Sequence, residues 1–154
     1  MLKNINPLLN ADVLHVLAAM GHGDSIVLCD ANFPAQSVAS KTSHGSLLRM
    51  DGANVTEAAD AVLSLMPLDT FINNAAQCMQ VVGASDSDLH ARPAVQDEVQ
   101  GVIAKYEEAE FLLTPVDRFE FYDRASESYA VLATNERRFF GCFIFTKGVI
   151  PPEA

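Results

Sequence analysis

The sequence predicts an α/β domain built on a mixed sheet with helices packed against it. Three observations carry this. Apolar residues at helical spacing alternate along the chain with short β-type runs. The run Ser25–Cys29, SIVLC, is unbroken and flanked by polar turns, as in a strand covered on both faces. A chain of 154 residues that is 49% apolar can bury one core and does not call for a second. Residues 1–154 are therefore expected to form a single domain.

Asn10 is placed to cap a helix with Asp12 in its first turn, an apolar face of Val13, Leu14, Leu17 and Met20, and Gly21 at its end. His22 then lies just past that helix, and Asp30 at the carboxyl end of the Ser25–Cys29 strand. Residues 36–52 are rich in Ser, Gly and basic residues with weak periodicity and read as a long connection, with a role as a lid left open. A second helix starts from a cap at Asn54 or Thr56, carries Ala58, Val62, Leu65 and Met66, and stops at Pro67. Gln77–Val82 reads as a strand, and GASDSD after it as a polar loop. Pro93 opens a third helix with Val95, Val99, Val102, Ile103 and Tyr106 on one face, ending in the acidic YEEAE. EFLLTPV suits a strand, and Asp117 caps a short helix through RFEFYDRASE. SYAVLATNE and RRFFGCFIFTKG then read as two strands close enough for a terminal hairpin, which would make the sheet mixed.

Charge narrows the partners. Ten Lys plus Arg against twenty Asp plus Glu leave a net charge of −10, which repels both a phosphate backbone and an anionic membrane. Neither nucleic acid nor a membrane is expected as a partner. The apolar residues near the N-terminus recur at helical spacing instead of forming the run of a signal peptide, and no window is long and apolar enough for a membrane span. Cys29, Cys78 and Cys142 are odd in number and widely spaced, which argues against a disulfide framework and a CxxC metal site and for a reducing, cytoplasmic setting.

The stretch GHGD draws attention to His22. Flanking glycines leave its imidazole unshielded, and such a group can give and take a proton near neutral pH. The plain alternative is a helix C-cap followed by a surface turn. Asp30 sits where open α/β sheets tend to place ligand-binding groups, and equally well in an Asx turn with Asn32 and Pro34. Five steps of about 3.3 Å separate the ends of the strand by about 16 Å. If His22 and Asp30 serve one small ligand, either the His22 loop folds back or two subunits each supply a part; the second is the expectation here. Arg118 and Tyr122, four apart on one helix face, could donate to ligand hydroxyls or merely pack together. Phe139, Phe140 and Phe143 suit a core or an oligomer contact. His15, His44 and His90 show no zinc-helix spacing, and neither a phosphate loop nor a GxSxG elbow occurs.

Taken together, MGHGDSIVLCDANFPA, DRFEFYDRA and FFGCFIFTKGVIP resemble the fucose mutarotase and ribose pyranase family, with the likeness spanning nearly the whole chain and RFEFYDRA closer to the fucose branch. The resemblance implies a three-layer α/β fold of the ribose pyranase type, a ring-shaped decamer with sites between neighbours, and interconversion of the anomers of a free monosaccharide. It implies His22 as acid and base, and Asp30 and Arg118 as sugar contacts, to which Tyr122 is added as the neighbour of Arg118. The family's Tyr-Gly-Asn triplet falls on Phe140, Gly141 and Cys142, so a hydroxyl and an amide are replaced by apolar groups. Buried polar contacts discriminate strongly between substrates, so a deoxy or less polar sugar than fucose is expected to be preferred.

The chemistry needs no cofactor or metal. Opening a pyranose requires a proton delivered to the ring oxygen and one removed from the anomeric hydroxyl, after which the aldehyde turns and recloses. A positioned acid–base group contributes about 10²–10⁴ in rate. The competing expectation is a non-catalytic sugar-binding or transport-associated protein on the same scaffold, which would bind sugar without accelerating exchange.

Overall fold

The computed structural model describes residues 1–83, 92–107 and 111–152. His90, most of GASDSD and the end of YEEAE lie outside the described residues. Helix α1 (Ala11–Ala19) starts where the Asn10 side chain accepts from the Val13 N–H. Strand β1 (Ser25–Cys29) follows. Helix α3 (Val55–Leu63) opens with a reciprocal capping box between Asn54 and Glu57, and the Asp117 side chain caps α5 (Arg118–Glu127). Such caps satisfy backbone donors that the first turn leaves orphaned and contribute about 0.5–2 kcal/mol each. Helix α4 (Ala94–Tyr106) begins at Pro93. Strands β3 (Ala76–Met79), β4 (Thr114–Val116), β5 (Ala130–Thr134) and β6 (Phe143–Thr146) complete the regions read as strands, each shorter than expected.

Residues 36–52 are more than a connection. They contain most of helix α2 (Ala35–Ala39) and all of strand β2 (Leu47–Met50), which lies at the sheet edge against β5. Periodicity missed both because α2 is a single short turn and a half and because β2 carries the exposed Arg49, ion-paired to Asp51, in its middle. Leu65 is another departure: α3 ends at Leu63, so the chain turns and leaves Leu65 exposed while Met66 is buried.

The sheet order is β2-β5-β1-β6-β3-β4. Pairs β1–β5, β2–β5 and β3–β4 are parallel, while β6 runs antiparallel to both β1 and β3. The sheet is mixed as expected, but the terminal hairpin does not form, because β1 lies between β5 and β6. The connecting residues 135–142 are too many for a tight turn and instead cross the end of β1, where the Ala31 N–H donates to the Glu136 carbonyl at 2.9 Å.

Alternating side chains make the sheet the middle of three layers. Ile26, Leu28, Leu132, Phe143 and Phe145 face α1, α3 and α4, while Val27, Cys29, Val131 and Ile144 face α2 and α5. This explains the unbroken apolar run of β1, since both of its faces are covered. Among the described residues, no helix is long and apolar enough to cross a membrane.

Phe143 and Phe145 are fully buried, with their rings stacked at 6.3 Å. We expect Phe145→Ala to lower unfolding free energy by about 3–5 kcal/mol in urea denaturation followed by circular dichroism.

Candidate functional site

Because β6 is antiparallel to β1, the two strands together have one end at Asp30 and Cys142 and the other at Asp24 and Lys147. Chemically suitable residues gather at both ends.

At the first end, a cleft of about 320 Å³ is lined by Asp30, Arg118, Tyr122, Phe140 and Cys142, with Asn32, Phe33, Met79, Val82 and Phe139. Asp30 is buried, and its Oδ1 accepts from the Asn32 N–H at 2.9 Å. The Asx turn and the cleft position are thus both real. Its Oδ2 accepts from the Cys142 thiol at 3.5 Å. Burial, reinforced by the Asp30 carboxylate, pushes the Cys142 pKa well above the ordinary thiol value, so this side chain is a donor and not a thiolate.

Helix α5 presents Arg118 and Tyr122 on one face, with the Arg118 Nε donating to the Tyr122 hydroxyl at 3.1 Å. The guanidinium also lies over the Tyr122 and Phe119 rings, so the pair packs together and still lines the cleft. Carboxylate, amide, guanidinium and phenol supply polar groups, while Phe33, Met79, Val82, Phe139 and Phe140 make the rest apolar. Such a lining suits a small polyol that carries an apolar edge.

Gly141 does not line the cleft but permits its shape. A Cβ there would lie 2.9 Å from Glu136 Cγ and 3.5 Å from Asp30 Cβ. Phe140 has a φ of 62°, a left-handed conformation uncommon for an aromatic residue. The buried Gln96 secures that turn, its Nε2 donating to the carbonyls of Met79 at 2.9 Å and Phe140 at 3.1 Å.

Glu136 anchors the same loop. Its buried carboxylate accepts from the Arg137 and Arg138 N–H groups and from the Arg138 guanidinium, which also pairs with Glu98 at 2.7 Å. Chiefly through the Arg138 hydrogen bond, the Glu136 pKa is held at about 2.

At the other end, His22 stands on the turn after α1, with Gly23 at a φ of 86°. His22 Nε2 lies 3.2 Å from Oδ2 of Asp69, and the imidazole side chain is 45% exposed against 5% for Asp69. The Phe71 ring meets the imidazole edge-on at 5.4 Å. Asp69 carried no signal in the sequence: it follows Pro67-Leu68 in an irregular segment, far from GHGD. Asn32 and Phe33 lay within the stretch already singled out, whereas Met79 and Val82 reach the cleft only through strand order. Of the residues expected to act together, the structure therefore gathers Asp30, Arg118, Tyr122, Phe140 and Cys142 with Gly141 behind them, and sets His22 apart. Among the described residues, no group of three or more His, Cys, Asp or Glu is arranged to hold a metal ion.

Since the Glu136 pKa is lower in the folded protein than in the unfolded chain, its contribution to stability is present above about pH 4.5 and lost as pH falls toward about 2. Glu136→Gln should destabilise by about 1–3 kcal/mol at pH 7 and flatten the acid limb of a stability–pH curve measured by urea denaturation.

Comparison with known proteins agrees with this architecture. Residues 3–150 match the model of the RbsD / FucU transport protein family. A protein named fucose mutarotase from Danio rerio is 41% identical, covering 99% of this chain and 96% of that one. The crystal structure of Atu2016, a candidate sugar-binding protein, is 48% identical with a TM-score of 0.92, covering 98% of this chain and 97% of that one. The fucose mutarotase from Streptococcus pneumoniae, solved with L-fucose, is 37% identical with a TM-score of 0.84 over 97% of this chain and all of that one. At 19% identity, Bacillus subtilis RbsD shares the fold, with a TM-score of 0.71 over 98% of this chain and all of that one. This chain belongs to the RbsD / FucU transport protein family.

Proposed function

We propose that the protein is an isomerase of the L-fucose mutarotase type, acting as a single domain over residues 1–154 and exchanging the α and β anomers of a free sugar by opening and reclosing the ring. The observation that carries this is a polar-edged, otherwise apolar cleft at one end of β1 and an exposed histidine at the other, in a chain resembling fucose mutarotases over nearly its whole length.

In this mechanism Asp30 accepts from sugar hydroxyls, while Arg118 and Tyr122 donate to them, holding the ring against Phe33 and Phe140. Gly141 lets the loop approach, and Cys142 fills the floor beside Asp30. His22 takes the proton from the anomeric hydroxyl and returns one to the ring oxygen as C1=O forms and the C1–O5 bond breaks. Reversal after rotation about C1–C2 closes the other anomer. Proton count and charge are restored at each cycle, so neither a cofactor nor a metal is needed.

One chain does not bring His22 to the cleft, so the complete site is shared between neighbouring copies of a homo-oligomer, as a ring of ten. Exposed aromatic residues beside each half support this: Phe71 next to His22, Phe139 in the cleft wall and Phe119 next to Arg118. Isolated apolar residues on a surface are ordinary, but an exposed aromatic residue beside each half-site suits an interface. The free, buried Cys29, Cys78 and Cys142 support a reducing, cytoplasmic location.

Saturation-transfer NMR between anomeric protons tests the activity. Wild type should accelerate exchange of L-fucose, and His22→Ala should reduce that acceleration by about 10²–10⁴. Sugar bound without faster exchange would instead make the protein a binder. The same experiment on ribose, galactose, rhamnose and 2-deoxyfucose bears on Phe140 and Cys142: greater acceleration of the 2-deoxy sugar than of fucose supports their effect on preference, and fucose clearly best overturns it.

Mixing tests the shared site. His22→Ala and Asp30→Asn proteins, each inactive alone, should regain activity when unfolded and refolded together, because some interfaces then carry both intact halves. Light scattering should give the mass of a decamer, and activity from a dilute monomer would exclude the shared site.

A further inference from the structure

We propose that Gln96 is a positioning residue for sugar binding: it holds Phe140 in its left-handed conformation and so keeps the aromatic side chain in the cleft wall. The inference rests on the reading of this cleft as the sugar site.

Phe140 needs such a hold. At a φ of 62° its Cβ crowds the carbonyl oxygen that follows, and an aromatic residue stays there only where surrounding contacts outweigh the strain. Its side chain is only half-buried, and Gly141, next in the chain, offers little resistance to a change of path.

Gln96 supplies the hold from inside the molecule. It lies in the first turn of α4, is 4% exposed, and spends both hydrogens of its amide on carbonyls: Nε2 donates to Met79 at 2.9 Å and to Phe140 at 3.1 Å. Carbonyls only accept, so the amide is oriented without ambiguity, and its oxygen is left to accept from the Cys78 thiol at 3.5 Å. One side chain thereby ties the end of β3 to the Phe140 peptide. The Met79 N–H completes the tie by donating to the Cys142 carbonyl at 3.1 Å, so three residues of the cleft lining, Met79, Phe140 and Cys142, share one hydrogen-bonded frame around Gln96.

The preceding part of the loop is held independently. Arg138 pairs with Glu98 at 2.7 Å and with Glu136 at 2.8 Å, and Glu98 also accepts from the Thr56 hydroxyl at 2.8 Å. Removing the Gln96 amide therefore frees Phe140 without detaching residues 136–138. An aromatic side chain that leaves the wall takes away a contact made to the sugar before and during its opening alike. Such a loss weakens binding and leaves the chemical step unchanged.

Gln96→Met keeps the length of the side chain and removes its donors. It is compared with Phe140→Gly and with the double variant by calorimetric titration of L-fucose and saturation-transfer NMR, after thermal unfolding has shown each protein to be folded. Gln96→Met should raise Kd and KM by about 10–10²-fold and keep kcat within about twofold of wild type. In the double variant Kd should match that of Phe140→Gly alone, because Gln96 acts through Phe140. An unchanged Kd in Gln96→Met, a lower kcat at unchanged KM, or losses that multiply in the double variant overturn the proposal. Should Gln96→Met not fold, crystals of wild type with L-fucose decide. Phe140 against the sugar with its carbonyl on Gln96 supports the role, and Phe140 turned away from the sugar, or its carbonyl free of Gln96, overturns it. Wild type that binds fucose without accelerating exchange overturns the mutarotase reading alone, and the Kd comparison still decides the role of Gln96. Wild type that binds no fucose overturns both.

Discussion

The antiparallel pairing of β1 with β6 is the constraint on which the rest depends. Its register sets Ile26 against Phe145, Val27 against Ile144 and Leu28 against Phe143, so one pair of strands supplies central side chains to both faces of the sheet. Each large apolar side chain buried this way contributes about 1.5–3 kcal/mol. A slip of one residue would turn all of these side chains to the opposite faces, so packing on two sides holds the register firmly. The register also fixes function-bearing geometry: Cys142 arrives beside Asp30 at one end, and Lys147 beside Asp24 and the His22 turn at the other.

Each end solves a different physical problem. The cleft end must hold polar groups and a left-handed Phe140 in a partly buried place without leaving donors or acceptors unsatisfied. Glu136 and Gln96 do so by taking up the N–H groups of Arg137 and Arg138 and the carbonyl of Phe140 while themselves remaining buried. The cleft can then be apolar over much of its wall and still keep Asp30 and Arg118 oriented. The histidine end keeps its imidazole exposed and delegates rigidity to the backbone around residues 146–148. For the acid–base role proposed for His22, exposure suits a group that meets a substrate, and rigidity limits the misorientation that costs catalytic rate.

Much of this organisation was legible along the chain because it rests on local physics. Asn10 and Asp117 cap the helices they were expected to cap, and of the alternatives Asn54 and Thr56 it is Asn54 that caps α3, since a short side-chain oxygen satisfies the same orphan donors wherever a helix begins. The apolar run of β1 announced burial on two faces. The failures share a different cause. Short α2 and edge strand β2 have too few residues to establish a period, and the false hairpin came from treating closeness in sequence as closeness in space. Asp69 was invisible because its meaning depends on a long-range bridge between Leu68 and Lys147.

The sequence by itself determined the fold class, the starts of α1, α3, α4 and α5, the span of β1 and the residue types suited to the chemistry, because periodicity, caps and turn chemistry act over a few residues. It also carried the family resemblance, since GHGD, DANFP and RFEFYDRA are contiguous motifs. Only the tertiary structure decided which of those residues meet. Strand order is settled by burying apolar faces across the whole molecule, and no local pattern encodes it. That order set His22 against Asp69, gathered Asp30, Arg118, Tyr122, Phe140 and Cys142 into one cleft, and kept the two groups at opposite ends of the same strand pair.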